Sequence, residues 1–256
     1  MPQEFKEQLS QADRALEATG QLALCVGSGI SRGRLPLLEE LIAAAFRNLP
    51  DSAPAMATFK ALSENQVFHL RLGDKGITVG NPCSLDDFRK LEERTQIELC
   101  RPLVQFYGDV FRDLEIAYLS KQNLLEAIDI ERFKTAEPAA PHFFIAYLMI
   151  EGRISKVLTT NWDVLIEKAI ERSTLLPFAQ FLTRALDEPT WVDRNNGPTP
   201  ILAKVHGCAT QFPTNCGYIV ITTPELQDAA AAGWRQSAVQ DFLSGRALFC
   251  GYSGSD

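Results

Sequence analysis

The stretch Ile154–Glu167, ISKVLTTNWDVLIE, decides how this chain is read. Its run Val157, Leu158, Thr159, Thr160 is apolar and β-branched, the make-up of a buried strand. The run stops at Asn161, and Val164, Leu165 and Lys168 then take up helical spacing. Polar residues therefore sit between the carboxyl end of a strand and the start of a helix. In open α/β sheets ligands bind at such junctions.

Upstream, residues 3–19 show helical spacing that ends at Gly20, and Leu22–Val26 (LALCV) reads as a short buried strand. That strand runs directly into GSGIS, Gly27–Ser31. A helix is expected over about Leu37–Asn48, after Pro36. From residue 50 the pattern changes. Apolar positions recur at helical intervals through Phe59–Leu72, Phe88–Leu99, Leu103–Leu119 and Leu124–Phe133, with Ser84 and Asp87 resembling a capping box. A weak GITVGN at 76–81 is the one strand signal. The expectation is an all-helical insertion, 50–137, with its own small core, set inside a Rossmann-like domain formed by 1–49 and 138–256.

Downstream, Pro138 and Pro141 precede an apolar helix, His142–Glu151. Further β-like runs are Pro200–Val205, Tyr218–Thr222 (YIVIT) and Ala247–Cys250, with a helix over about Pro224–Leu243 before the last. Asp187–Pro200 reads as an exposed loop. Strands alternating with helices predict an α/β fold: a Rossmann-like, mostly parallel sheet with helices on both faces. The sequence closes on GYSGSD directly after a strand, where a doubly wound sheet normally feeds another helix. A longer protein is therefore expected.

The bulk numbers fit a globular protein, with 46% apolar and 22% charged residues. A net charge of −7 without any dense Lys/Arg block argues against direct nucleic-acid binding. The longest apolar run, Phe143–Ile150, is too short to span a bilayer, and the charged amino terminus is no signal peptide. A cytoplasmic location is expected. None of the six cysteines forms a CxxC pair, so no metal site is expected. Cys25 and Cys250 lie in apolar strand-like runs and are expected to be buried free thiols.

Four loops carry the candidate chemistry. Gly27 and Gly29 allow a tight turn and close backbone approach to phosphate, with Ser28 and Ser31 as hydroxyl donors. Arg32 stands where a dinucleotide loop has its third glycine, and a plain strand-to-helix turn explains GSGIS equally well. In TTNWD, after Thr160, Asn161 offers an amide to a sugar hydroxyl or water and Asp163 an acceptor. An Asx-turn at Asn161 and a helix cap at Asp163 is the plainer alternative. In KVHG, His206 ends a strand, where it can take a proton from a hydroxyl near neutral pH. In GYSGSD, Gly251, Tyr252, Ser253 and Asp256 could approach a phosphate or ribose, with a bland terminal loop as the alternative. His69 reads as a surface side chain and His142 as structural. Each loop is weak evidence alone, but all four fall at carboxyl ends of strands.

In order and approximate spacing, GSGIS, PHFFIAYL, VLTTNWDVLIEKA, KVHG and LFCGYSGSD resemble the sirtuin-like (silent information regulator) superfamily over about 20–38 and 138–256. Asn161 and Asp163 match its T-x-N-x-D signature, His206 its catalytic histidine, and Gly27, Gly29 and Ser31 its G-x-G-x-S loop. Sirtuin deacylases carry two CxxC pairs for zinc and a G-I-P-D-F-R segment, and this chain has neither. It is more similar to a bacterial, zinc-less branch whose members hydrolyse NAD in antiphage defence. The resemblance implies NAD as substrate, no zinc, catalysis by Asn161 and His206, and a homo-oligomer or a regulatory domain or partner beyond Asp256. Protein deacylation, ADP-ribosyl transfer and a silent NAD or ADP-ribose sensor are the alternatives.

Overall fold

The computed structural model describes residues 22–64, 84–175, 183–186, 200–231 and 233–251, with single positions 177 and 179. The helix at 3–19, GITVGN, His69, Cys83, most of the 187–200 loop, and Tyr252, Ser253 and Asp256 lie outside the described residues.

Five parallel strands form one sheet: β1 Leu22–Val26, β2 Ile154–Thr159, β3 Thr183–Ala185, β4 Ile201–Lys204 and β5 Arg246–Cys250, in the order β3-β4-β2-β1-β5. All strands point the same way, so their carboxyl ends share one edge. The chain leaves β1 on one side for β2 and reaches β5 on the other. The cleft at the ends of β1, β2 and β5 is thus the topological switch where ligands settle.

Alternation along β1 sorts two cores. Leu22, Leu24 and Val26 join Val157 and Leu202 beneath helices α8 (Ala140–Ile150) and α9 (Leu165–Thr174), through Ile145, Met149, Ile166 and Ile170. Ala23 and Cys25 face the other way, with Leu158, Ala203 and Val205, onto Trp234, Ala238 and Phe242 of α11 (Gly233–Leu243). Helices therefore cover both faces, as the alternation of elements predicts.

The expected helical region is helical wherever it is described: α2 Ala53–Ser63, α3 Leu85–Lys90, α4 Glu93–Cys100, a 3-10 turn Arg101–Phe106, α5 Tyr107–Ala117, α6 Lys121–Ala127 and α7 Arg132–Thr135. Ser84 caps α3: its hydroxyl oxygen accepts the Asp87 N–H at 3.1 Å and donates to Asp87 Oδ2 at 2.6 Å. The region does not keep a separate core. Phe46 of α1 (Leu38–Arg47) stacks edge-on to Phe59 and Phe88, and one apolar cluster joins these helices to Trp162, Leu165, Phe212, Ile219 and Ile221.

Two local expectations are corrected. YIVIT is not a strand. The N–H groups of Ile221 and Thr222 donate to Glu225 Oε2 at 3.0 and 3.1 Å, capping helix α10 (Thr223–Ala231), while Ile219 and Ile221 fill the helical cluster. β-Branched content cannot make a strand when the backbone donors serve a helix start. The helix expected over 224–243 is helical wherever it is described, over α10 and α11 (Gly233–Leu243). Cys250 is exposed because β5 is an edge strand. The short edge strand β3 has no signal in the sequence.

Candidate active site

The GSGIS loop leaves β1 and forms a single 3-10 turn, Ser28–Ser31. Helix α1 starts at Leu38, beside the expected Leu37, so the loop does not run directly into an α-helix. The Gly27 N–H donates to the Cys250 carbonyl at 3.0 Å and the Gly29 N–H to the Gly251 carbonyl at 2.8 Å. Both amides thus tie the loop to β5. A Cβ on Gly29 would meet Gly251 Cα at 2.8 Å, and Gly251 itself has φ +62. The glycines let two strand-end loops touch. Ser28 is exposed and lines the pocket described below, so it is the loop residue best placed for a ligand.

Ser31 is buried, and its hydroxyl donates to Asp163 Oδ2 at 2.9 Å. The Ser31 oxygen also lies 3.1 Å from His142 Nε2. His142 Nδ1 accepts the Ala139 N–H at 3.0 Å. That bond fixes the ring's proton on Nε2, which donates to Ser31. Asp163 Oδ1 accepts the Leu165 N–H at 3.0 Å, capping α9. A directed chain therefore runs from the α8 amino terminus through His142 and Ser31 to Asp163. Asp163 is a helix cap and a loop-to-loop tie. His142, read from sequence as structural, is its anchor.

Burial holds the His142 pKa below its ordinary value of 6.5, outweighing the opposite pull of the Asp163 carboxylate. The sign of the linkage follows. Below about pH 6.5 the unfolded chain protonates this histidine before the folded one does, so stability is full above that pH and falls as pH drops. Thermal melts between pH 7.5 and 5 are expected to show a decline that is shallower in His142→Gln. Identical slopes would remove His142 from the acid sensitivity.

Lys204, buried at the end of β4, donates to the Asp163 carbonyl at 2.5 Å. Its ammonium is 3.7 Å from Glu167 Oε1, which in turn lies 3.6 Å from Arg184 Nη1 of β3. Burial works to lower the Lys204 pKa, but Glu167, with Cys208 and Asp163, holds it above the ordinary value. A charged lysine thus couples the His206 strand to the TTNWD loop. Two backbone bonds reinforce the join: Val205 N–H to the Thr159 carbonyl at 3.1 Å and Ala209 N–H to the Trp162 carbonyl at 2.8 Å.

Asn161 Nδ2 donates to the Gly27 carbonyl at 3.2 Å, and its backbone N–H donates to Thr159 Oγ1 at 3.0 Å. One amide hydrogen is thereby engaged, and the Oδ1 atom is an acceptor for a water or sugar hydroxyl. His206 follows β4 and is half-buried. Gly207 after it has φ +80, and a Cβ there would meet the Tyr218 carbonyl oxygen at 2.3 Å. Only glycine permits the turn that ends KVHG at the histidine.

These loops meet around one pocket of about 590 Å³, including its solvent-open mouth. Ser28, Ser31, Thr160, Asn161, Asp163 and His206 supply its polar side. Leu38, Tyr107, Phe133, Trp162 and Val220 supply apolar wall, so helices outside the sheet complete it. Gly27, Gly29 and Gly251 are not among the residues that line it. Tyr107 and Phe133 carry no motif, because a wall built by packing leaves none. Among the described residues no group of His, Cys, Asp and Glu is arranged to hold a metal ion, and no helix is long and apolar enough to cross a membrane.

No curated protein matches this chain. Residues 155–256, which include β2–β5 and the Asn161 and His206 loops, match the family model of the SIR2-like domain. The match begins after GSGIS and the helical region, which join the site through the contacts above. Over these residues, fewer than half of the chain, the sequence is similar to the SIR2-like domain.

Proposed function

We propose that the protein is an NAD glycohydrolase, cleaving the nicotinamide–ribose bond with water to give nicotinamide, ADP-ribose and a proton. The observation that carries this reading is the pairing of Asn161 and His206 in one pocket whose remaining wall is apolar. Ser28 and Thr160 hold the substrate's polar groups at the strand ends. As the C–N bond breaks, its electron pair returns to the pyridinium ring and positive charge builds on the ribose carbon. Water held by Asn161 Oδ1 forms the new C–O bond, and His206 receives its proton. General-base catalysis of this kind is worth ~100- to 10,000-fold.

Leu38 of α1, Tyr107 of α5 and Phe133 of α7 stand over the same pocket. Apolar side chains in that position favour a small acceptor such as water over an acylated peptide, which needs an open groove. The SIR2-like domain supports NAD as the substrate. A role as the effector of a bacterial antiphage system, with a regulatory domain or self-assembly controlling it, rests on the family resemblance. Nicotinamide release from NAD with and without an acylated peptide tests the reaction. Equal release supports hydrolysis, release only with peptide supports deacylation, and NAD binding without any product supports a sensor.

A further inference from the structure

A second, larger groove of about 2020 Å³, including its solvent-open mouth, adjoins the active pocket. It lies between the 32–37 loop, helices α1 and α4, and the turn from α6 into α7. Leu35, Pro36 and Leu41 line both cavities and form the wall between them. Ser28, Asn161 and His206 are not among the residues that line the groove. Six arginines are, on a chain whose net charge is −7. Two of the six are neutralised within the protein: Arg47 pairs with Glu93 at 2.8 Å and Arg94 with Glu98 at 3.4 Å. Arg32, Arg34, Arg101 and Arg132 are exposed and have no ion pair among the described residues. Arg132 Nη2 donates to the Arg34 carbonyl at 3.5 Å, so its guanidinium lies against the loop that carries Arg32 and Arg34. Like charges gathered in this way repel one another, and an anion between them offsets that cost.

The chemistry of the lining narrows the anion. A guanidinium is planar, permanently charged and matched to phosphate oxygens in a two-point contact. A long nucleic-acid backbone fits poorly, because five carboxylates also line the groove and would face its phosphates. A compact anion can sit among the arginines and avoid them. Of those carboxylates, Glu93 and Glu98 hold their arginines and Glu40 accepts the Leu37 N–H at 2.6 Å. Glu39 and Asp129 are left as acceptors for hydroxyl or amino groups. We propose that this groove binds a compact polyphosphate, the triphosphate of a nucleotide, on Arg32, Arg34, Arg101 and Arg132, with Glu39 and Asp129 receiving donors of the nucleoside. This site is independent of the NAD reading above.

Calorimetric titration of the protein with ATP, inorganic triphosphate and a tetraglutamate peptide, without divalent metal, tests the site. ATP is expected to bind most tightly and triphosphate next, and tetraglutamate least. Arg101→Gln and Arg132→Gln are each expected to weaken ATP by about 5- to 30-fold. Arg112→Gln is expected to leave ATP binding unchanged, because Arg112 lies on α5 outside the groove, held by Asp109 at 3.1 Å and Asp113 at 3.0 Å. All three substitutions change exposed or half-exposed side chains, and melting curves establish that each variant is folded. Absence of ATP binding overturns the proposal, as does ATP binding that is unchanged in both groove variants. An equal loss in Arg112→Gln reduces the effect to overall charge and overturns it too. Tetraglutamate binding as tight as triphosphate overturns phosphate in favour of an acidic peptide. NAD cleavage by the wild type bears on the hydrolase reading alone.

Discussion

His206→Ala is expected to lower kcat for NAD cleavage by ~100- to 10,000-fold, the range general-base catalysis supplies, while NAD binding changes little. The fold is expected to survive, because the His206 backbone carbonyl accepts the Val220 N–H at 3.0 Å whatever the side chain. The tight turn behind it belongs to Gly207, which the substitution leaves in place. Steady-state kinetics together with direct titration of NAD check both halves. A kcat within threefold of wild type would remove His206 from the proton transfer.

Asp163→Ala is expected to be the costliest single change to stability. It strands two buried donors at once, the Leu165 N–H and the Ser31 hydroxyl. A buried group left without its partner costs about 1–3 kcal/mol. The sum of two corresponds to a fall in Tm of roughly 5–20 °C in a domain of this size. Asp163→Asn should fall between. Its carbonyl oxygen can still accept from Leu165, but its amide nitrogen then faces a hydroxyl already receiving the His142 Nε2–H, and the Ser31 proton loses its acceptor. Thermal melts order the three proteins. Equal Tm values would mean that the Ser31–Asp163 tie contributes nothing to the fold.

The two variants separate chemistry from architecture within loops that the sequence shows as a single pattern. LALCV, VLTT and ALFC were legible as strands because each is a short apolar run flanked by breakers, and their polar ends marked the functional edge. The division of labour inside that edge was not legible. GSGIS reads as a phosphate loop, yet the Gly27 and Gly29 amides bond β5, a partner more than two hundred residues away in sequence. The capping alternative for Asp163 is what its Oδ1 bond to Leu165 realises, alongside the tie to Ser31. YIVIT has strand composition, but Glu225 three positions on claims its backbone donors. One available clue to His142 was its place in the first turn of an apolar helix, where Nδ1 can cap the backbone and leave Nε2 to reach inward. Lys204 offered another, since a lysine in a buried strand requires a buried carboxylate, here Glu167.

The most direct test of the central claim is a time course of the protein with NAD as sole substrate, following nicotinamide and ADP-ribose together. The account predicts that both accumulate in equal amounts without any peptide, and that Asn161→Ala and His206→Ala each stop both. Nicotinamide that appears only after an acylated peptide is added, accompanied by an acylated ADP-ribose, would contradict it.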